Sequence, residues 1–143
     1  MNADLSVAPE IAQLATSFVP AQHPTAALST VGRIAGDLAD LAAAPERWWD
    51  LVRFDARGPV RVPLPEAPGT WLLILPPDAT ADCDCRQATA LAGEAAELTV
   101  HGEPGTGAQH RPLRPGRVRV HGTPAPHRVA AVGSGYSVTL HWS

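Results

Sequence analysis

The sequence predicts a mainly β protein, a helical lead followed by an antiparallel sandwich or barrel. Three observations carry that prediction. Up to Ala43, apolar residues recur at intervals of three and four, the spacing of one helix face. From Trp48 onward the period falls to two, as in strands with one covered face. The strand-like segments are short, many are separated by Gly- or Pro-containing turns, and no helix-length pattern lies between them. That favours an antiparallel sandwich or barrel over a parallel α/β sheet.

Residues 8–19 form the first expected helix: Pro9 suits an opening turn, and Ile11, Leu14, Ala15 and Phe18 make one apolar stripe. Residues 25–43 form the second. Thr25 can cap it, Leu28, Val31, Ile34, Leu38 and Leu41 share a face, and Pro45 forbids continuation. Both helices should pack by one face, so residues 1–45 are expected to cap a β-body of residues 46–143. In that body, 51–55 and 60–64 read as strands around the turn Ala56-Arg57-Gly58-Pro59. Further strands are expected at 70–75, 82–86, 89–92, 97–100, 118–120, 128–132 and 137–142. Residues 102–112, opening with Gly102-Glu103-Pro104-Gly105-Thr106-Gly107, read as a mobile loop.

With 143 residues the chain has room for one core. Its net charge is −3, and its 11 basic residues, all arginines, are scattered from Arg33 to Arg128. No basic face tracks phosphates, so nucleic acid is not an expected partner. Residues 1–10 lack the positive and apolar regions of a signal peptide, and the longest strongly apolar run, residues 71–77, is too short to span a bilayer. A soluble cytoplasmic protein without membrane contact is expected. The absence of lysine, with abundant Ala, Pro and Arg, matches the coding of a GC-rich bacterium. The two cysteines, Cys83 and Cys85, are too few and too close for a disulfide framework. A bridge between them would be strained, so they are expected to act locally as thiols.

The run Leu113-Arg114-Pro115-Gly116-Arg117-Val118-Arg119-Val120-His121-Gly122-Thr123-Pro124-Ala125-Pro126-His127 places a histidine eleven residues after a Pro-Gly turn. This resembles the downstream motif of the cupin superfamily. The upstream motif is matched by the turn Leu75-Pro76-Pro77-Asp78 and by Cys83-Asp84-Cys85, where cupins carry His-x-His. Within the cupins, the order of pieces is most similar to the small bacterial cysteine dioxygenase-like proteins. The pieces are a helical N-terminus, Arg47-Trp48-Trp49-Asp50-Leu51-Val52-Arg53-Phe54-Asp55, Trp71-Leu72-Leu73-Ile74-Leu75, the Cys83-Asp84-Cys85 triplet, Glu97-Leu98-Thr99, the Pro115-Gly116 strand and a final strand. The resemblance covers about residues 47–143. It implies a cupin double-stranded β-helix, a jelly-roll-like barrel, with an N-terminal helical cap. Of three iron-binding histidines it leaves one, His127; a family Tyr beside the iron falls at Trp142, and a neighbouring family His falls at Leu140. Thiol dioxygenase activity is therefore not expected.

Residues i and i+2 of a strand share a face, so Cys83 and Cys85 point together. Placed as the resemblance implies, they face the barrel interior toward His127. Two thiolates and an imidazole with an open fourth position suit zinc and can accept copper or iron. A buried Cys pair also packs as two small hydrophobes. The cofactor expectation is therefore none or one transition metal (Zn, Fe or Cu), on Cys83, Cys85 and His127, which are also the catalytic candidates. Enclosed without a cation, both thiols should be harder to ionise than usual. Asp82 and Asp84 should face away from the cysteines. His101 and His110 read as solvated, His23 as exposed or structural, His121 as facing either side, and His141 as pointing opposite to Trp142.

Trp71, Trp142 and Arg53 are the ligand-binding candidates, an aromatic wall and a guanidinium for a small organic molecule. Arg61 and Arg119 alternate with apolar residues in the same manner. The expected function is that of a diverged cysteine dioxygenase-like cupin binding or transforming a small molecule in the barrel, with an enzyme ahead of a non-catalytic protein. Two alternatives stand beside it: a single-metal cupin enzyme with a Cys/Cys/His site, and a non-catalytic sensor or scaffold subunit. A small molecule is the expected partner, and a homodimer is left open.

Overall fold

A computed structural model describes residues 23–99, 109–121 and 126–143, with side chains from residue 30. The helix expected at 8–19 lies outside them, as does His101. The chain divides into two compact units, Met1–Ile34 and Ala35–Ser143. Helix α1 spans His23–Ala42 and stops before Pro45, which opens the first of two single 3-10 turns, Pro45–Arg47 and Trp49–Leu51.

The strand expected at 51–55 is not formed. Trp48 is buried and its indole Nε1 donates to the Leu41 carbonyl at 3.0 Å, which folds the chain back against the end of α1. Beyond it, the rings of Trp49 and Phe54 meet edge-on at 6.3 Å, and those of Phe54 and Tyr136 at 5.0 Å. Aromatic contacts of this kind hold the segment without a ladder of backbone hydrogen bonds.

The strands are β1 (Val60–Pro63), β2 (Thr70–Leu75), β3 (Thr80–Cys83), β4 (Gln87–Ala92), β5 (Glu94–Thr99), β6 (Gln109–Leu113), β7 (Arg119–Val120), β8 (His127–Val132) and β9 (Ser137–Trp142). β6 corrects the expected loop. Its Gln-His-Arg-Pro sequence has no apolar alternation, but five of its residues pair with β5, and that long-range ladder makes it a strand. Gly93, at φ +70°, makes the tight turn from β4 to β5; a Cβ there would meet the Tyr136 carbonyl.

Two antiparallel sheets form, in the orders β1-β2-β9-β4-β7 and β3-β8-β5-β6. With β1 set aside, the remaining eight strands read first, eighth, third, sixth in one sheet and second, seventh, fourth, fifth in the other. That is the order of a jelly roll. The fold is a cupin-type double-stranded β-helix, mainly β as expected. Among the described residues, no helix is long and apolar enough to cross a membrane.

Register decides what the barrel contains. Trp71, Leu73 and Leu75 of β2 point inward with Cys83, Cys85, Ala88, Ala90, Ala95, Leu113, Val129 and Ala131. Opposite them on β9 stand His141, Thr139 and Ser137, all with no exposed surface. The other face of the same pair, Leu72, Ile74, Val138 and Leu140, is also buried, so this sheet is covered on both sides. Each Leu or Ile there contributes about 1.5–3 kcal/mol of burial. The alanines on β4, β5 and β8 leave room on the inner side, and polar side chains fill it.

Candidate metal centre

β3 ends at Cys83, whose partner across β8 is His127. Cys85 follows in a short extended stretch clamped on both sides: Arg86 donates its N–H to the Trp142 carbonyl, and His121 donates its N–H to the Arg86 carbonyl, each at 2.8 Å. The Cys85 N–H in turn reaches back to the Cys83 sulfur at 3.4 Å. Both thiols are buried, free and inward-facing, as the i, i+2 spacing predicts.

The imidazole between them is His141. Its Nδ1 lies 3.2 Å from Cys85 Sγ and 3.5 Å from Cys83 Sγ. Its Nε2 lies 2.7 Å from Thr139 Oγ1. That hydroxyl donates to the Leu73 carbonyl at 3.4 Å, so it accepts from His141, which fixes a proton on Nε2 and turns Nδ1 toward the sulfurs. The ring is stacked as well: Trp71 lies on it at 4.3 Å and 12°, and the Arg61 guanidinium lies 3.6 Å from the centre of the Trp71 ring.

A second group adjoins the first. His127 Nε2 lies 3.4 Å from Cys85 Sγ and 3.9 Å from Glu97 Oε1. Glu97 is 1% exposed, and its Oε1 meets His121 Nε2 at 2.9 Å. Arg119 Nε stands 3.4 Å from its other oxygen. The rings of His121 and His127 stack at 4.5 Å. Among the described residues, two sets of three ligand atoms thus lie within 4.8 Å of one another: Cys83, Cys85 and His141, and Cys85, His121 and His127.

The expected trio of Cys83, Cys85 and His127 is therefore redistributed. All three residues converge, but His141 completes the cysteine pair, and His127 groups with His121 against Cys85. Trp71 is present as expected. Trp142 is not: it is paired with Thr70 and Gln87 and shares the outward face of β9 with Leu140, while His141 faces in. Arg53 is not brought to the cluster either; its guanidinium donates to the carbonyls of Asp50 and Val52 at 2.6 and 2.9 Å. His141, Thr139 and Glu97 were missed because polar residues in an alternating strand read as solvent-facing.

The expectation that both thiols are hard to ionise also divides. Cys83 is held well below the usual thiol range, first by a hydrogen bond from Cys85 and then, against the cost of burial, by His127. Cys85 is pushed up, first because it gives that hydrogen bond, then by burial and by the charges of Cys83 and Glu97. The pair ionises once, with the charge on Cys83. His127 also lines a pocket of about 300 Å³ with Asp82, Leu98, Pro126 and Arg128.

The donor chemistry tests which metal fits. Cys83, Cys85 and His127 do not make an iron site of three neutral imidazoles, because two of them are thiols. A thiophilic ion fits: sulfur and nitrogen bound at about 2.3 and 2.0 Å to one tetrahedral ion lie about 3.5 Å apart, against the 3.2 and 3.5 Å found.

No protein-family model and no curated protein matches the sequence. Similar solved structures include the protein TT1209 from Thermus thermophilus, 18% identical with a TM-score of 0.49 over 66% of this chain and 91% of that one. A Cupin_2 domain of an XRE family transcriptional regulator from Enterobacter cloacae is 19% identical with a TM-score of 0.43, over 60% and 97%. An RmlC-like cupin from Desulfovibrio desulfuricans is 19% identical with a TM-score of 0.41, over 64% and 88%. The fold assignment rests on the strand order, and function has to be argued from the side chains inside the barrel.

Proposed function

We propose that the barrel is a small-molecule cupin in which Cys83, Cys85 and His141 hold one thiophilic divalent metal, and that it is not a thiol dioxygenase. One observation carries the reading. The lone-pair nitrogen of His141 faces both sulfurs at 3.2 and 3.5 Å while its other nitrogen is bound to Thr139, the outer-shell arrangement that orients a ligating histidine. A metal so held would supply Lewis acidity toward a water or substrate oxygen. Trp71 keeps the imidazole plane fixed by stacking. His127, which lines the 300 Å³ pocket, is placed to meet a molecule bound there and exchange a proton with it. Dioxygenation of a thiol is disfavoured because the three neutral imidazoles on which that chemistry depends in the cysteine dioxygenase-like proteins are reduced to one at matching positions.

A second reading, a metal-free thiol pair, is favoured by the hydrogen-bond partner that each sulfur already has. Cobalt separates the two. Co²⁺ added to metal-free protein should give intense thiolate-to-cobalt charge-transfer absorption, abolished in the Cys83→Ser, Cys85→Ser double variant and diminished in His141→Ala. Absence of the band from the wild-type protein would refute the metal reading in favour of the thiol pair.

A further inference from the structure

We infer that the barrel holds a second metal position, built from His121, His127 and Glu97 and sharing the Cys85 sulfur with the first. The inference rests on the reading of Cys83, Cys85 and His141 as a metal centre. Cys85 belongs to both sets of ligand atoms that lie within 4.8 Å of one another, and a thiolate has lone pairs enough to bridge two ions. The second set is harder in character than the first, two imidazoles and one shared thiolate against two thiolates and one imidazole, and the Glu97 carboxylate adjoins it at His121; such a set suits zinc or iron.

Glu97 is held by the His121 ring at 2.9 Å, its one short contact in this group. A carboxylate 1% exposed is costly to bury unless well paired. Arg119 approaches Glu97 at 3.4 Å, yet its Nε makes no hydrogen bond. His127 Nε2 stands 3.9 Å from Glu97 Oε1, too far for a hydrogen bond. Two donors each about 2.1 Å from a common ion lie about 3 Å apart at a right angle and about 4 Å apart at a wide one. The 2.9 and 3.9 Å separations of His121 and His127 from Glu97 Oε1 match that range. The backbone sets the placement, since the His121 N–H to Arg86 carbonyl bond fixes His121 one residue from Cys85. His121 is also the half-buried member of the group, which gives an ion a route in.

The test is metal stoichiometry of the full chain, loaded with Zn²⁺ and desalted, read by elemental analysis beside the cobalt charge-transfer band. Two zinc ions per chain are expected for the wild type. His121→Ala and Glu97→Gln should each reduce this to one and keep the cobalt band. One zinc per chain in the wild type, with the band intact, overturns the second position and leaves the proposed function standing. No zinc and no band overturns both. Two per chain retained in both variants also overturns the assignment, because the second ion then lies elsewhere. Should either variant fail to fold, the wild-type protein still decides. Electron paramagnetic resonance from the first equivalent of Co²⁺ should be quenched by a second coupled through the shared sulfur, and a signal that simply doubles contradicts a bridged pair.

Discussion

Thr139→Val is the perturbation that isolates the orientation of His141. Valine keeps the shape of threonine and removes the oxygen that accepts from His141 Nε2 at 2.7 Å and donates to the Leu73 carbonyl at 3.4 Å. Both Thr139 and His141 have no exposed surface, so water cannot replace that oxygen. Leaving one buried donor unsatisfied costs about 1–3 kcal/mol, to be read as a lower denaturation midpoint of the metal-free protein. The imidazole also loses the partner that keeps its Nδ1 lone pair toward the sulfurs. Loss of such an outer-shell partner weakens metal binding about 10- to 100-fold, to be read from the cobalt titration. Thr139→Ser keeps the hydroxyl and should restore both. A Thr139→Val protein that binds cobalt as tightly as the wild type would show that Trp71 stacking alone fixes the ring, and the argument from Thr139 would fall.

The remaining predictions concern ionisation and reactivity. In metal-free protein, Cys83 is ionised in the fold at pH values where the unfolded chain keeps its proton, so stability rises with pH up to the ordinary thiol range near about 8.5. Above that range the unfolded chain loses both thiol protons while Cys85 keeps its own, so stability then falls, each limb with a slope of at most about 1.4 kcal/mol per pH unit. Ultraviolet thiolate absorbance should show one thiolate per folded chain at neutral pH, lost in Cys83→Ser; two silent thiols would contradict the shared proton. Iron-loaded protein given cysteine should consume no oxygen. Cysteine-dependent uptake that disappears in His127→Ala would prove that expectation wrong.

Much of the barrel could be read along the chain because its local patterns agree with its pairings. β2 and β9 occupy the expected residues 70–75 and 137–142, and the single residue between Cys83 and Cys85 was enough to send both thiols inward. The failures have one physical source, contacts between distant residues. On β9, Ser137, Thr139 and His141 alternate with Val138, Leu140 and Trp142, and the usual rule turns the polar set to water. The covered outer face of the sheet reverses it. The signal was present in β2, where Trp71-Leu72-Leu73-Ile74-Leu75 is apolar on both faces, the mark of a strand buried on both sides. Glu97 was hidden by the same rule. β6 owes its conformation to β5, and the stretch after Trp48 to ring contacts that reach Tyr136; neither is written in local sequence.

X-ray absorption at the zinc edge, on full-length protein carrying one equivalent of Zn²⁺, tests the central claim most directly. Cys83 and Cys85 as ligands require two sulfur scatterers at about 2.3 Å, with His141 adding a nitrogen at about 2.0 Å. That shell should lose its sulfur in the Cys83→Ser, Cys85→Ser double variant. A wild-type shell of nitrogen and oxygen alone would place the metal away from the cysteines and contradict the account.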